Sequence, residues 1–350
     1  MSGSERIDII LRSDGRDLDQ RIADAAGIAA RQTPMGRRPD RPVPGAGKPI
    51  WTGPARTTQS PADTYYDQPV VKAPPWGGKV SAYIVLGGVA GSSAALGAAA
   101  QVLGGGRLGA LVRSSRALSA LTATAGAGLL MADLGRPERF LHMMRLVRPT
   151  SVMNVGGYCL STTAGASAWA LVLGGRCGRL GRAGRAAGVV AGIAGIPLCG
   201  YTGVLLSATA MPGWNVGTRT LPPLFMASAA ATSASALRLA PVAPPGQRAL
   251  AVLAATAQAA ELAAEHAHER TFTDRPHVRA CYQTSRRWRA GRALTLASLA
   301  LGLAPPTRRT RTGRAAAGVL GVAGSTLTKT AVYTAGLDSA RDPRAVGESG

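Results

Sequence analysis

The most regular feature of the sequence is a series of long apolar blocks separated by short polar segments. Residues 82–103, 152–175 and 186–218 contain no Asp, Glu, Lys, Arg or His. Because a helix rises about 1.5 Å per residue and a bilayer core is about 30 Å thick, blocks of this length predict transmembrane helices. Five further blocks continue the pattern, at residues 117–132, 221–237, 249–264, 293–304 and 315–335. We therefore predict an all-α integral membrane protein with about eight transmembrane helices.

Small residues dominate these blocks. Gly, Ala, Ser and Thr take the places where Leu and Phe are more usual, and the chain contains 45 glycines. In lipid, small residues let helix backbones approach closely, so this composition predicts a tightly packed set of helices. The alternative is a general bias of the sequence towards Ala, Gly and Arg, which explains the composition but not the block lengths.

The charge of the chain is strongly positive, with a formal net charge of +22. Nucleic-acid binding is nevertheless disfavoured, because the arginines flank the apolar blocks and form no continuous stripe with aromatic residues. The connections at residues 104–116, 176–185, 237–248 and 305–314 are basic and contain no acidic residue, which favours the cytoplasmic side of a membrane. Residues 1–75 are polar and rich in Pro, Gly and Arg towards their end, and we interpret them as a tail.

Cysteine and histidine residues are few and dispersed. The four cysteines, at 159, 177, 199 and 281, form no C-x-x-C motif and no Cys/His group, so no zinc or Fe–S centre is predicted. The four histidines lie at predicted helix ends or in connections, where they are poorly placed to bind a haem between helices. We expect no metal, haem or Fe–S cluster in this chain, and we expect its thiols to be free.

The most informative polar segment is DLGRPERFLHMMRLVRPTS, at residues 133–151. It places two acids, four arginines and a histidine together at the boundary of two apolar blocks. Such a patch can bind an acidic partner protein, phospholipid headgroups or the head group of a quinone. The alternative is an ordinary basic connection whose long side chains reach the membrane surface.

This segment resembles the D-L-G-R-P-x-R-F…P-T-S motif of the NrfD/PsrC family, the membrane subunits of polysulfide reductase-type oxidoreductases. Four other segments resemble the family in the same order: YYDQPVVKAPPW with AYIVLGGVAGSSAAL, YTGVLLSATAMPGWN, AAELAAE and AGLDSARDP. The resemblance runs from about residue 65 to residue 343.

The resemblance implies a fold and a set of partners. It implies eight transmembrane helices in two four-helix bundles, multi-pass in the inner (cytoplasmic) membrane. It also implies a ferredoxin-like Fe–S partner subunit and a molybdopterin catalytic subunit, with electrons passing to or from a quinone, either menaquinone or ubiquinone. The expected domains are a tail at 1–75, a quinone-side bundle at 76–218, a second bundle at 219–340 and a short tail at 341–350.

Candidate site residues follow from the chemistry of quinone reduction, which needs donors to two carbonyls and a source of protons. The candidate quinone-binding residues are Trp76, Tyr83, Asp133, Arg136, Arg139 and His142. The alternative for Tyr83 is a plain aromatic residue at the membrane interface. Glu261 and Glu265 share a helical face and are candidates for a proton path, with simple pairing to Arg270 or a neighbouring loop as the alternative.

Two other functions are alternatives to a quinone-linked subunit. Pro197 and Pro212 are compatible with the broken helices of a secondary transporter, although no inverted repeat is visible in the sequence. The second alternative is a membrane anchor that binds the Fe–S subunit without quinone chemistry.

Overall fold

The computed structural model describes residues 71, 74, 76–133, 142, 144–145, 147–305 and 310–348. All of them belong to one compact unit, Asp63–Gly350. The expected tail at 1–75 lies almost wholly outside the described residues. Within the described residues the secondary structure is helical, without strands. The helices are α1 (Gly78–Gly104), α2 (Gly109–Asp133), α3 (Val152–Leu173), α4 (Gly178–Ser207), α5 (Pro212–Asn215), α6 (Leu221–Leu237), α7 (Pro244–Arg270), α8 (Pro276–Gln283), α9 (Arg286–Leu303), α10 (Arg311–Arg341) and α11 (Pro343–Gly347).

Several helices are longer than the apolar blocks that predicted them. The block at 117–132 is part of α2, which begins at Gly109, and the block at 249–264 is part of α7, which ends at Arg270. The predicted blocks are shorter because we placed the charged residues in the connections between helices. A helix continues through such residues when their side chains reach the polar boundary or find partners inside the protein.

Side-chain caps define the start of three helices. Ser151, Ser285 and Thr310 each accept a hydrogen bond from the backbone amide three residues later. These caps satisfy one of the free N–H groups at the first turn of α3, α9 and α10.

The close approach of α1 and α4 depends on glycine. A β-carbon added at Gly91 would collide with the carbonyl oxygen of Gly195, and one added at Gly195 would collide with that of Gly91. A hydroxyl also joins α2 to α1: Ser119 Oγ donates to the carbonyl oxygen of Ala90 at 2.9 Å. Small residues therefore do bring these helix backbones together, as the composition predicts.

We call α1 to α4 (residues 78–207) the N-terminal half and α6 to α10 (residues 221–341) the C-terminal half. The two halves meet where α6 packs on α1 and α4. At this contact Ser92 Oγ donates to the carbonyl oxygen of Ala229 at 2.9 Å and lies 2.5 Å from Ser233 Oγ. Neutral hydroxyls thus satisfy each other across the contact.

Two stretches are long and apolar enough to cross a membrane by length and composition alone. They are Gly78–Asp133, which folds back on itself at the 3-10 turn Gly105–Leu108 and so comprises α1 and α2, and Gly178–Ser207, which is α4. The helix Leu221–Leu237 is apolar but shorter. Crossing by all eight long helices, their division into two bundles and the domain boundaries stay predictions.

Candidate functional site

The first group of predicted site residues lies where α1 begins and α2 ends. Trp76 stacks on Trp214 with ring centroids 6.0 Å apart, and Tyr333 Oη donates to the carbonyl oxygen of Trp76 at 2.8 Å. Asp133 is the last residue of α2 and is exposed. It interacts electrostatically with Tyr333, so Trp76 and Asp133 belong to the same end of the molecule.

Tyr83 lies deeper at this same end, inside the N-terminal half. Its side chain is only 3% exposed and packs against Gly87 and Gly126. This burial does not fit a plain aromatic residue at the membrane interface. Gly126 precedes Asp133 by seven residues, which corresponds to roughly 10 Å along α2.

A second buried tyrosine accompanies Tyr83. Tyr201 on α4 belongs to the same apolar cluster and lies against Gly156, where a β-carbon would overlap its ring. The two tyrosines and Cys159 interact electrostatically. No hydrogen bond joins either phenol oxygen to another described residue, and neither oxygen belongs to the fully buried polar atoms that lack a partner. The N-terminal half therefore holds two phenol O–H donors within one apolar cluster.

The remaining residues of the first group are placed only in part. Arg136 and Arg139 lie outside the described residues. His142 is described and its side chain is exposed. Nearby, Tyr158 Oη on α3 donates to the carbonyl oxygen of Met144 at 2.6 Å, which fixes that part of the segment against α3.

Glu261 and Glu265 on α7 are both fully buried in the C-terminal half. Ser325 Oγ donates to Glu261 Oε2 at 2.6 Å, and Thr328 Oγ1 donates to Glu265 Oε1 at 2.9 Å. Both hydroxyls come from α10. The face shared by the two carboxylates is therefore turned into the protein.

Arg292 on α9 is the charged partner of this face. Its Nε lies 3.1 Å from Glu265 Oε2 and its Nη2 lies 2.9 Å from Glu269 Oε1. Trp288 Nε1 also donates to Glu269 Oε1, at 2.6 Å. Pairing with Arg270 was therefore the wrong alternative: α9 supplies the arginine, and α9 is distant from α7 in sequence. Glu261, Glu265 and Glu269 follow each other at intervals of four residues, from the interior to the partly exposed end of α7.

Lys329 on α10 is the unexpected member of this group. Its side chain is 1% exposed, and its Nζ has no hydrogen-bond partner. The ammonium interacts electrostatically with Glu261 and Cys199, and it lies 5.9 Å from the centroid of the Phe225 ring. A β-carbon at Gly88 of α1 would lie 2.5 Å from Nζ, so α1 passes close to the ammonium. Lys329 thus brings a buried charge to the contact between the halves.

Glu261 Oε1 is also buried without a hydrogen-bond partner. Two opposite, incompletely satisfied groups therefore face the same region of the interior. Buried charges are costly unless paired, and in membrane proteins they mark functional pathways.

His268 lies near this carboxylate face and packs among aromatic rings. It is fully buried, and Thr220 Oγ1 lies 2.8 Å from its Nδ1. Its ring makes edge-on contacts with Phe272 and Tyr282. Within the described residues, no group of three or more His, Cys, Asp or Glu side chains is placed to hold a metal ion.

Sequence reasoning missed three residues of these groups: Tyr201, Arg292 and Lys329. Tyr201 stood inside a quoted motif, and Lys329 is the only lysine within the apolar blocks. An ionisable residue in such a block often marks a functional site. Arg292 gave no signal of its own, since it resembles the other arginines that flank apolar blocks.

The helical architecture and the two long apolar stretches are typical of an α-helical membrane protein. The family described as "Polysulphide reductase, NrfD" matches residues 68–248, which is just over half of the chain. The chain belongs to this family. The matched part covers the N-terminal half and extends to the start of α7, so Glu261, Glu265 and Lys329 lie beyond it. No curated protein is similar enough to count as a match. Membership implies a membrane subunit of an oxidoreductase complex.

Proposed function

We propose that this chain is the quinone-reactive subunit of such a complex, in the inner membrane, and that it passes electrons between a ferredoxin-like Fe–S subunit and the quinone pool. A molybdopterin subunit is the expected catalytic partner. The observation that carries the proposal is the pair of unpaired phenol O–H groups of Tyr83 and Tyr201, inside the N-terminal half. They lie at the end of this half that also carries Asp133, the last residue of α2.

These residues fit the head group of a quinone. A quinone presents two carbonyl oxygens as acceptors, and a phenol O–H is a donor that can be held in place by packing. Small residues such as Gly87, Gly126 and Gly156 allow the rings to lie deep between the helices. Quinone reduction takes up two electrons, which the Fe–S partner supplies, and two protons. Asp133 is exposed at this end and is suited to take protons from water.

Within this proposal, Glu261 and Glu265 carry protons into the C-terminal half. Support comes from their spacing on one face of α7 and from Glu269 and Arg292, which continue the face to the partly exposed end of the helix. Lys329 lies beyond Glu261 at the inner end. The line of carboxylates therefore joins the protein surface to the contact between the halves.

The test uses the complex purified with its partner subunits from strains carrying Asp133→Asn or Arg136→Lys. Assembly, reduction of an artificial dye at the catalytic subunit and reduction of quinone are measured side by side. We expect both variants to assemble and to reduce the dye, with slower electron transfer to quinone, because Lys cannot reproduce the planar fork of Arg. Undiminished quinone activity in both variants would remove these residues from the site. Loss of the complex in both would assign them a structural role.

A further inference from the structure

One end of the described helices is basic and free of acids. It is formed by the start of α2, the turns between α3 and α4 and between α6 and α7, the end of α9 and the start of α10. From residue 152 to 260 and from 286 to 337 the sequence contains no Asp or Glu. Any arginine buried at this end therefore has no carboxylate of these segments as its partner.

A pocket of about 300 Å³ opens at this end of the C-terminal half. Arg238, Arg248 and Arg314 line it, together with Gln247 and Pro244 at the start of α7. The positive end of the α7 dipole adds to the charge of the three arginines.

Arg238 is built into the wall of this pocket. Its side chain is 5% exposed, and its Nε is buried without a hydrogen-bond partner. A β-carbon at Gly302 of α9 would lie 3.1 Å from Arg238 Nη1, so the guanidinium packs closely against that helix. Arg314 repels it electrostatically. Two neighbouring guanidinium groups, one of them buried, call for an anion between them.

Arg116 in the N-terminal half is a buried arginine that the protein satisfies in part, although its Nε lacks a partner as that of Arg238 does. Its Nη1 donates to the carbonyl oxygen of Ala170 at 3.0 Å, and its Nη2 donates to Gln101 Oε1. Arg238 has no such side-chain bonds among the described residues. Arg238 is therefore open to a partner that the described residues do not supply.

The pocket also contains one free acceptor. Gln247 Nε2 donates to the carbonyl oxygen of Ala240 at 3.3 Å, which leaves Gln247 Oε1 buried without a donor. A matching ligand is therefore an anion that also carries a hydrogen-bond donor.

Apolar side chains surround this end of the same helices. Leu239, Val252 and Leu303 are 47%, 65% and 55% exposed. In a membrane protein such side chains face acyl chains. An anionic headgroup in the pocket would thus have its own apolar tails beside it, which favours a lipid over an acidic protein segment.

We propose that the pocket binds the headgroup of an anionic phospholipid of the phosphatidylglycerol type. The phosphodiester accepts hydrogen bonds from Arg238 and the neighbouring arginines, and a glycerol hydroxyl of the headgroup donates to Gln247 Oε1. The site is separate from the proposed quinone site, which lies at the opposite end of the N-terminal half.

The experiment measures the melting temperature of the full-length, delipidated protein in detergent. The added probes are dioleoylphosphatidylglycerol, dioleoylphosphatidylcholine or inorganic phosphate. Wild type is compared with Arg238→Gln and with Arg248→Gln, which alters an exposed side chain and keeps the test valid if the buried variant does not fold. Arg289→Gln is the matched control, because it removes one charge from an exposed site near the start of α9.

We expect phosphatidylglycerol to raise the melting temperature of wild type and Arg289→Gln more than the other probes do. In the pocket variants, about tenfold more of this lipid should be needed for the same rise, since each loses a charge-assisted contact. Equal stabilisation by inorganic phosphate would overturn the lipid in favour of a free anion. Equal effects of the two lipids, or an unchanged response of Arg248→Gln, would also overturn it. If Arg248→Gln responded to the lipids as wild type does but no longer bound a partner subunit, the pocket would be assigned to a protein.

Discussion

The two halves of the molecule bury different kinds of polar groups. In the interior of the N-terminal half, many hydroxyls bond to backbone carbonyls or to each other, as Ser119 does with Ala90 and with Ser167, and the guanidinium of Arg116 is buried without a carboxylate. In the C-terminal half, α7, α9 and α10 bury Glu261, Glu265 and Lys329, with Arg292 partly exposed beside them. Hydroxyls can pack helices at little cost, whereas buried charges demand specific partners. The second arrangement supports the proton path proposed above.

The largest expected effect concerns the two opposite buried charges of Lys329 and Glu261. Lys329→Met should lower the free energy of unfolding by about 3–5 kcal/mol, because it leaves Glu261 buried without its counter-charge. The double variant Lys329→Met/Glu261→Gln should recover most of that loss. Unfolding in detergent is the measurement, with the exposed Lys79→Met as control. A double variant as unstable as the sum of its single variants would show that the two charges do not depend on each other.

A smaller effect is expected for the outer part of the carboxylate face. Arg292→Gln removes the ion pairs with Glu265 and Glu269, and should cost about 1–3 kcal/mol because water screens a guanidinium that is 33% exposed. Arg341→Gln is the control, since its pair with Asp338 is exposed on both sides and should contribute about 0–1 kcal/mol. If the two variants lost equal stability, the carboxylate face would not differ from an ordinary surface ion pair.

The N-terminal half should respond in function rather than in stability. Tyr83→Phe and Tyr201→Phe remove hydroxyls that have no protein partner, so stability should change by less than about 0.5 kcal/mol. Quinone turnover by the assembled complex should fall by about 100-fold if these hydroxyls donate to the reacting carbonyls. Tyr282→Phe is the contrasting control: it loses a 2.6 Å bond to the carbonyl oxygen of Gly213 and should cost about 1 kcal/mol. Unchanged turnover in both phenol variants would exclude them from the quinone site.

The smallest effect concerns two cysteines at opposite ends of the helices. Cys177 is exposed between α3 and α4, whereas burial, followed by the charges of Asp338 and Asp342, raises the pKa of the Cys281 thiol to about 11. Only the thiolate reacts with maleimide, so Cys281 should label slowly at pH 7, and its rate should rise about tenfold per pH unit towards pH 11. Mass spectrometry of proteolytic peptides separates the two sites. With sealed vesicles and an impermeant maleimide, each should label from a different side. Labelling of both from one side would contradict the proposed crossing of the membrane.

The sequence by itself determined the helical class, the membrane character and the family. These are properties of local composition: block length, small residues and the D-L-G-R-P motif act over short stretches of chain. The sequence also predicted that Glu261 and Glu265 share one face of a helix, because helical periodicity alone places residues four apart together. Which groups meet between helices was decided by the tertiary structure. Arg292 rather than Arg270 reaches Glu265, Tyr201 joins Tyr83, and Gly88 leaves room for Lys329, all through contacts between segments far apart in the chain. Such contacts depend on how helices pack, and that packing is not encoded in the period or charge of any one of them.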